Sequence, residues 1–140
     1  MKLGKKLLSL LTVLCLTLSL LPTMALATGE TETVSVGSIT LNKGEYLTSS
    51  GDNKVAGEPT GVTGYIYFKP DGTLELNEYS DQGGSTSHKI RGRNLDISLT
   101  GTNYITSADN GIFSSGTLTI SGPGSLTLTA AINSTIYATD

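Results

Sequence analysis

The most regular pattern in the sequence is the stretch Asn110–Thr129, which reads NGIFSSGTLTISGPGSLTLT. It contains two apolar/polar alternations, Leu118–Ile120 and Leu126–Leu128, separated by the turn Gly122–Gly124. An alternation with a period of two places apolar side chains on one face of an extended chain and hydroxyl side chains on the other. Threonine is β-branched and suits a pleated strand, so both faces of this stretch favour β structure.

The same pattern occurs upstream, because Leu95–Thr106 aligns without gaps on Leu118–Thr129. A period in the twenties, with glycine turns and short strands, is typical of a solenoid whose successive coils stack about 4.8 Å apart. The inferred stacks are Leu74/Leu95/Leu118, Leu76/Ile97/Ile120 and Ile90/Ile112/Ile136. We therefore predict an all-β fold, a right-handed parallel β-helix of roughly three to four coils, with the handedness that parallel crossovers usually have.

Residues 1–27 have the features of a secretory signal peptide. A basic start is followed by the apolar core Leu7–Leu21, then by Pro22 and the small-x-small sequence Ala25–Ala27. The core is shorter than the roughly 20 apolar residues that a membrane-spanning helix needs. We expect cleavage after Ala27, a secreted or cell-surface protein, and no membrane contact once the signal is removed.

Removal of residues 1–27 changes the composition of the chain. The mature chain, from Thr28 to Asp140, contains no cysteine, 6 basic and 12 acidic side chains, and hence a net charge near −6. Disulfide bonds are therefore not expected to stabilise the mature chain. The acidic balance, without any basic run, argues against nucleic acid and anionic membranes as partners.

The mature chain is expected to form a short linker and one domain. Thr28–Thr33 is polar and acidic, and residues 34–140 form the predicted β-helix domain. Val34–Leu41 alternates and predicts the first strand, whereas Asn42–Gly64 is rich in turn-forming residues and predicts a loop or an irregular first coil. Pro70–Gly72 predicts a tight turn before the next strand, because proline sets φ and glycine allows positive φ.

The sequence resembles a bacterial family of carbohydrate-binding domain-containing proteins. The resemblance is carried by GYIYFKPDGTLELNEY, NLDISLTGTNYIT and DNGIFSSGTLTISGPGSLTLTA, and it covers Val34 to the end of the chain. Members of that family are secreted right-handed parallel β-helices, related in fold to pectate lyases, that bind plant cell-wall polysaccharides. The resemblance thus implies a polysaccharide partner. Because family members usually have more coils, and because no cap follows Thr135, we also expect further coils or domains after Asp140; the alternative is a partner that covers the exposed edge.

One group of side chains is the candidate carbohydrate-binding site. Phe113 and Tyr137 follow the stacked residues Ile112 and Ile136, and Arg91 follows Ile90, so all three are expected to point outward on adjacent coils. An exposed aromatic strip can contact the apolar faces of sugar rings, while nearby hydroxyl groups bond to their edges. The alternative is that Phe113 and Tyr137 pack on each other.

Catalytic and metal chemistry have weaker candidates. Glu75 and Asp96 each follow a leucine of the same predicted stack, one coil apart, and they could hold Ca²⁺ between adjacent coils. The alternative is two solvated carboxylates that turn away from each other. Arg91 and Arg93 could serve as the base of a polysaccharide lyase, but no acid cluster accompanies them. We expect no other cofactor.

Three functions follow from these observations. The first is a secreted, non-catalytic carbohydrate-binding module, for which an outward aromatic column is the distinguishing feature. The second is a structural stalk or adhesin repeat without a ligand of its own, for which uniform Thr/Ser outer faces are the mark. A polysaccharide lyase, with a Ca²⁺-binding carboxylate cluster beside a base, comes third.

Overall fold

The computed structural model describes residues 32–51, 53–81, 88–133 and 135–139. Residues 1–27, to which the sequence assigns a signal peptide, and Asp140 lie outside these ranges. The fold of the described residues is all-β and contains fourteen strands and no helix. The strands are β1 Thr33–Val36, β2 Ile39–Asn42, β3 Glu45–Thr48, β4 Val55–Ala56, β5 Tyr65–Phe68, β6 Thr73–Asn77, β7 Ser80–Asp81, β8 His88–Gly92, β9 Leu95–Thr100, β10 Thr102–Ser107, β11 Asn110–Ser114, β12 Leu118–Ser121, β13 Ser125–Ala130 and β14 Ile136–Ala138.

The strands form three sheets. The first has the order β14-β11-β8-β1-β2, the second β13-β10-β7, and the third β12-β9-β6-β5-β3-β4. In each sheet, strands from the second half of the chain pair in parallel with strands that lie about one sequence repeat away. Strands from the first half pair antiparallel, both with one another and, through β1 and β8, with the second half.

The prediction of a right-handed parallel β-helix is therefore wrong, although its all-β part is confirmed. A solenoid requires parallel neighbours throughout, whereas these are mixed sheets with five antiparallel pairs among the described strands. The error has a physical cause. Alternation of apolar and polar residues reports which face of a strand is buried, but it carries no information about the direction of the neighbouring strand.

Tight turns in the first half reverse the chain where the sequence suggested continuity. Val34–Leu41 is not one strand, because Gly37 has a φ of 63° and joins β1 to β2 in a hairpin. Positive φ is readily available to glycine and costly for other residues, so this position permits the reversal. Asn42–Gly64, predicted as a loop or irregular coil, contains β3 and β4. The turn predicted at Pro70–Gly72 is confirmed, and it joins β5 to β6 in a second hairpin.

The predicted stacks are partly confirmed. Leu118 lies opposite Leu95 and Ile120 opposite Ile97, and the stack Ile90/Ile112/Ile136 is present as predicted. The predictions for Leu74 and Leu76 are wrong by two positions, since these side chains lie opposite Ile97 and Leu99. A shift of two positions keeps every side chain on its original face, which is why the pattern could not reveal it.

The core lies between the three sheets and is made of the inward side chains of each strand. Ile66, Leu74, Leu76, Ile97 and Ile112 have no measurable exposure. Each such side chain contributes roughly 1.5–3 kcal/mol by leaving water. Burial decreases towards the outer strands of the parallel pairs, where the side chains of β13 alternate between exposed and half-buried.

Two buried polar side chains link neighbouring strands at the corners between sheets. Asn103 Oδ1 accepts a hydrogen bond from the backbone N–H of Tyr79 at 2.8 Å, and its Nδ2 donates to the carbonyls of Thr100 and Ser125, each at 3.1 Å. At the next corner, the Ser114 hydroxyl donates to the carbonyl oxygen of Arg93, which lies 2.9 Å from its Oγ. These bonds satisfy backbone groups that would otherwise be buried without partners.

Candidate functional site

The predicted column of outward side chains is present on the first sheet. Arg91 on β8 lies opposite Phe113 on β11, which in turn lies opposite Tyr137 on β14. Because Ile90 and Ile112 are completely buried, the residue after each of them is directed to the outer face. Arg91 is exposed, Phe113 is half-buried, and Tyr137 is 46% exposed. The register that the sequence predicts for these three residues is therefore confirmed.

The column is a stack and does not form an open aromatic strip. The rings of Phe113 and Tyr137 are nearly parallel, with 13° between their planes and 5.5 Å between their centroids. The guanidinium carbon of Arg91 lies 5.6 Å from the Phe113 centroid. Since β11 lies between β8 and β14, Arg91 and Tyr137 cover opposite faces of the Phe113 ring. A sugar ring could stack on Phe113 only after displacing Arg91 or Tyr137. The alternative prediction, in which Phe113 and Tyr137 pack on each other, therefore describes Phe113 better.

The two carboxylates of the predicted Ca²⁺ site do not face each other. Glu75 lies opposite Ser98, and Asp96 lies opposite Thr73, because β6 and β9 pair two positions away from the predicted register. The carboxylate of Glu75 accepts a 2.8 Å hydrogen bond from the Tyr65 hydroxyl, and its other oxygen lies 3.6 Å from the ammonium of Lys69. Within the described ranges, no group of three or more His, Cys, Asp or Glu side chains could hold a metal ion.

Glu75 belongs instead to a polar cluster that the sequence pattern does not predict. The Tyr65 hydroxyl also accepts a 3.1 Å hydrogen bond from Asn77 Nδ2, so β5 and β6 bring these groups together on the outer face of the third sheet. Burial, and then the hydrogen bond to Glu75, raise the pKa of Tyr65. The turn Pro70–Gly72 could have revealed the cluster, because a tight hairpin there sets Tyr65 opposite Asn77.

A buried charged group lies between the second and first sheets. Lys89 Nζ contacts Asp81 Oδ2, and the Tyr79 hydroxyl lies 3.2 Å from the same oxygen. Lys89 is 7% exposed and Tyr79 is 1% exposed. Burial, followed by the charge of Asp81, raises the pKa of the Tyr79 hydroxyl, which therefore remains neutral and can donate to the carboxylate. The group gives each buried charge a partner, as buried ions require.

The second sheet carries an uncharged outer surface that the sequence analysis did not identify. Along β10 the side chains of Thr102 and Tyr104 are exposed, whereas those of Asn103 and Ile105 are buried. Tyr104 is 45% exposed and lies between Ser80 on β7 and Thr127 on β13. We call this surface the tyrosine face; it consists of Tyr104 with six hydroxyl residues, Ser80, Thr102, Thr106, Ser125, Thr127 and Thr129.

Two carboxylates border the tyrosine face at its ends. Glu78 lies against Gly101, the residue before β10, because a Cβ placed on that glycine would meet Glu78 Cγ at 2.6 Å. Asp109 follows β10 at the other end, where its Oδ1 accepts a hydrogen bond from Asn133 Nδ2. All seven side chains of the face itself are uncharged at neutral pH. The face is therefore neutral along its length, and the exposed carboxylate of Glu78 lies beside the end at Gly101.

Comparisons with known proteins leave the resemblance and the function as predictions. The sequence matches no protein-family model, and searches among curated proteins and among solved structures likewise give no match. In the described part of the chain, no helix has the length and hydropathy of a membrane span.

Proposed function

We propose that this chain is a secreted, non-catalytic carbohydrate-binding protein whose ligand is a polysaccharide outside the cell. The observation that carries the proposal is the tyrosine face, where a half-exposed aromatic ring lies among six hydroxyl side chains. The signal-like residues 1–27 support an extracellular location, and the acidic mature chain disfavours nucleic acid as a ligand.

The chemistry of the tyrosine face suits a sugar surface. A sugar ring has an apolar face of C–H groups and an edge of hydroxyl groups, and an aromatic ring can contact the first while side-chain hydroxyls bond to the second. Neighbouring side chains of the face lie about 4.8 Å apart across the strands and about 6.8 Å apart along one strand. Hydroxyl groups can both donate and accept, so several sugar orientations can be satisfied.

Binding without catalysis fits the environment of the acidic side chains. Glu75 is paired with Tyr65 and Lys69, and Asp81 with Tyr79 and Lys89. A lyase mechanism needs a carboxylate cluster and a base directed at one point, and the described side chains at Glu75 and Asp96 do not converge.

Retention on insoluble polysaccharide tests the proposal. The purified chain would be mixed with cellulose, with and without Ca²⁺, and compared with the variants Tyr104→Ala and Tyr104→Phe. We expect Tyr104→Ala to lose retention and Tyr104→Phe to keep most of it, because phenylalanine preserves the ring. Retention that is the same for Tyr104→Ala as for the wild type would contradict this site, provided that circular dichroism shows both proteins folded.

A structural spacer is the second candidate, and the stacked column favours it. Arg91, Phe113 and Tyr137 cover one another, while Asn103 and Ser114 link neighbouring strands from inside. Such bonds make a stiff body without requiring a ligand. If the folded chain is retained neither on cellulose in the assay above nor on pectin or starch in the same assay, this second function is the one that the structure supports.

A further inference from the structure

We infer that the tyrosine face selects neutral polysaccharides and rejects uronate-containing polymers such as pectin. The inference rests on the proposed function and names the class of glycan that the same face takes. It follows from the distribution of charge around the face. The register of β7, β10 and β13 places only uncharged side chains on the face itself.

The side chains of the face that would touch the ligand are all uncharged. Tyr104 and its six hydroxyl neighbours include no arginine or lysine, the side chains that usually neutralise a bound carboxylate. A uronate that lost water on this face would therefore lose the solvation of its charge without gaining an ionic partner. That loss is costly, whereas a neutral sugar exchanges its water for hydroxyl partners.

A carboxylate lies near each end of the face. A polymer that runs along β10 passes Glu78 at one end and Asp109 at the other. Glu78 is exposed and Asp109 is half-buried, so both side chains reach the surface. A polyuronate carries a negative charge on every sugar and would be repelled by Glu78, with a range of about 8 Å at physiological ionic strength and about 30 Å at 0.01 M salt.

An exposed cation also lies on the outer face of the first sheet. Arg91 is exposed on the first sheet, but its guanidinium lies over Phe113. Arg91 belongs to a different sheet from Tyr104, so it is not positioned to neutralise a ligand that lies on the tyrosine face. The mature chain as a whole, with a net charge near −6, adds to the repulsion of an acidic polymer.

A binding comparison between neutral and acidic polymers tests this inference. Retention of the purified chain would be measured on cellulose, and affinity electrophoresis would be run in gels containing a soluble neutral β-glucan or polygalacturonate, at low and at physiological salt. We expect binding to both neutral polymers, no binding to polygalacturonate, and a loss of about tenfold in neutral binding for Tyr104→Ala.

Charge variants distinguish the effect of the carboxylate beside the face from the effect of the net charge of the whole chain. Glu78→Gln should leave neutral binding unchanged and should allow weak polygalacturonate binding at physiological salt, where the remaining negative charges are screened. The matched control is Glu58→Gln, which removes the same charge from an exposed position outside the face. Equal effects of the two variants would show that net charge matters and the ends of the face do not, which would overturn the assignment.

The remaining outcomes distinguish this inference from the proposed function. Binding of polygalacturonate in preference to the neutral polymers would overturn the inference and leave carbohydrate binding in place. Absence of binding to all three polymers, by a chain that circular dichroism shows to be folded, would overturn both.

Discussion

The two halves of the described chain bury their apolar side chains through different strand pairings. In the first half, antiparallel hairpins place β5 between β3 and β6, and all four of its side chains are buried. In the second half, strands about one repeat apart pair in parallel, and the outer strand β12 keeps only β9 as a neighbour. Ile120 on β12 is 38% exposed, whereas its partner Ile97 on β9 is completely buried. Burial here depends on the number of neighbouring strands more than on the residue type.

The strongest test of this comparison replaces the same residue on an inner and on an outer strand. Ile97→Ala should lower the free energy of unfolding by about 4 kcal/mol, because it removes buried methyl groups and leaves a cavity. Ile120→Ala should cost about 1 kcal/mol, since its side chain is partly in water already. Urea unfolding followed by circular dichroism measures both. Equal losses would contradict the difference in burial.

A second test compares a glycine from each half. Gly122 and Gly57 have similar φ values of 103° and 106°, but an added Cβ would collide with the Leu99 carbonyl oxygen in the first case and meet open space in the second. Gly122→Ala should therefore cost about 3 kcal/mol and Gly57→Ala about 1 kcal/mol, the latter from backbone strain alone. Thermal unfolding of the two variants distinguishes close strand approach from strain. A larger loss of stability for Gly57→Ala than for Gly122→Ala would contradict the close strand approach at Gly122.

The stacked column gives a smaller effect that is confined to the second half. Phe113→Ala should lower the free energy of unfolding by about 2 kcal/mol, because it removes both the contact with Tyr137 and the contact with Arg91. Tyr137→Ala should cost about 1 kcal/mol, since it removes only the outer contact. Glycan retention should be unaffected by either change if the tyrosine face is the binding site. Loss of retention in both variants would return the site to the column.

The smallest expected effect concerns a carboxylate of the first half. A backbone hydrogen bond from Asn42 and a hydrogen bond from Lys54 lower the pKa of Glu45. Its contribution to stability is therefore present above the pKa of the unfolded chain, about 4.3, and is lost as the pH falls through the lower pKa of the folded state. Glu45→Gln should lower the Tm slightly at pH 7, where the wild-type carboxylate is charged, and should therefore show a smaller fall in Tm below about pH 5. An unchanged acid dependence would contradict a role for this group.

The sequence predicts the all-β class and much of the register in the second half. The stack Ile90/Ile112/Ile136 and the column beside it follow from a repeat that keeps apolar side chains on one face. The error at Leu74 arises because a slip of two positions leaves every side chain on its original face, so the repeat pattern is the same in both registers. The expected stacking of Glu75 on Asp96 depended on that register, and the structure places the two residues two positions apart along the strands.

The first half was harder to predict because its decisive features are turns. VSVGSITL alternates through the hairpin at Gly37, so the pattern is the same for one long strand as for two short antiparallel ones. The tyrosine face was missed for another reason. Tyr104 and Thr127 lie about one repeat apart in the chain, and threonine and serine occur on so many strands that their presence alone does not mark a binding surface.

The hairpin at Pro70–Gly72 has a consequence for the order of folding. It joins β5 to β6 through a short loop, so these strands can meet within microseconds, whereas β6 and β9 must close a much longer loop. Once formed, β6 offers the edge on which β9 pairs, and β9 then offers the edge for β12. We expect the hairpin to be structured in the folding transition state and the parallel strands to add in sequence after it.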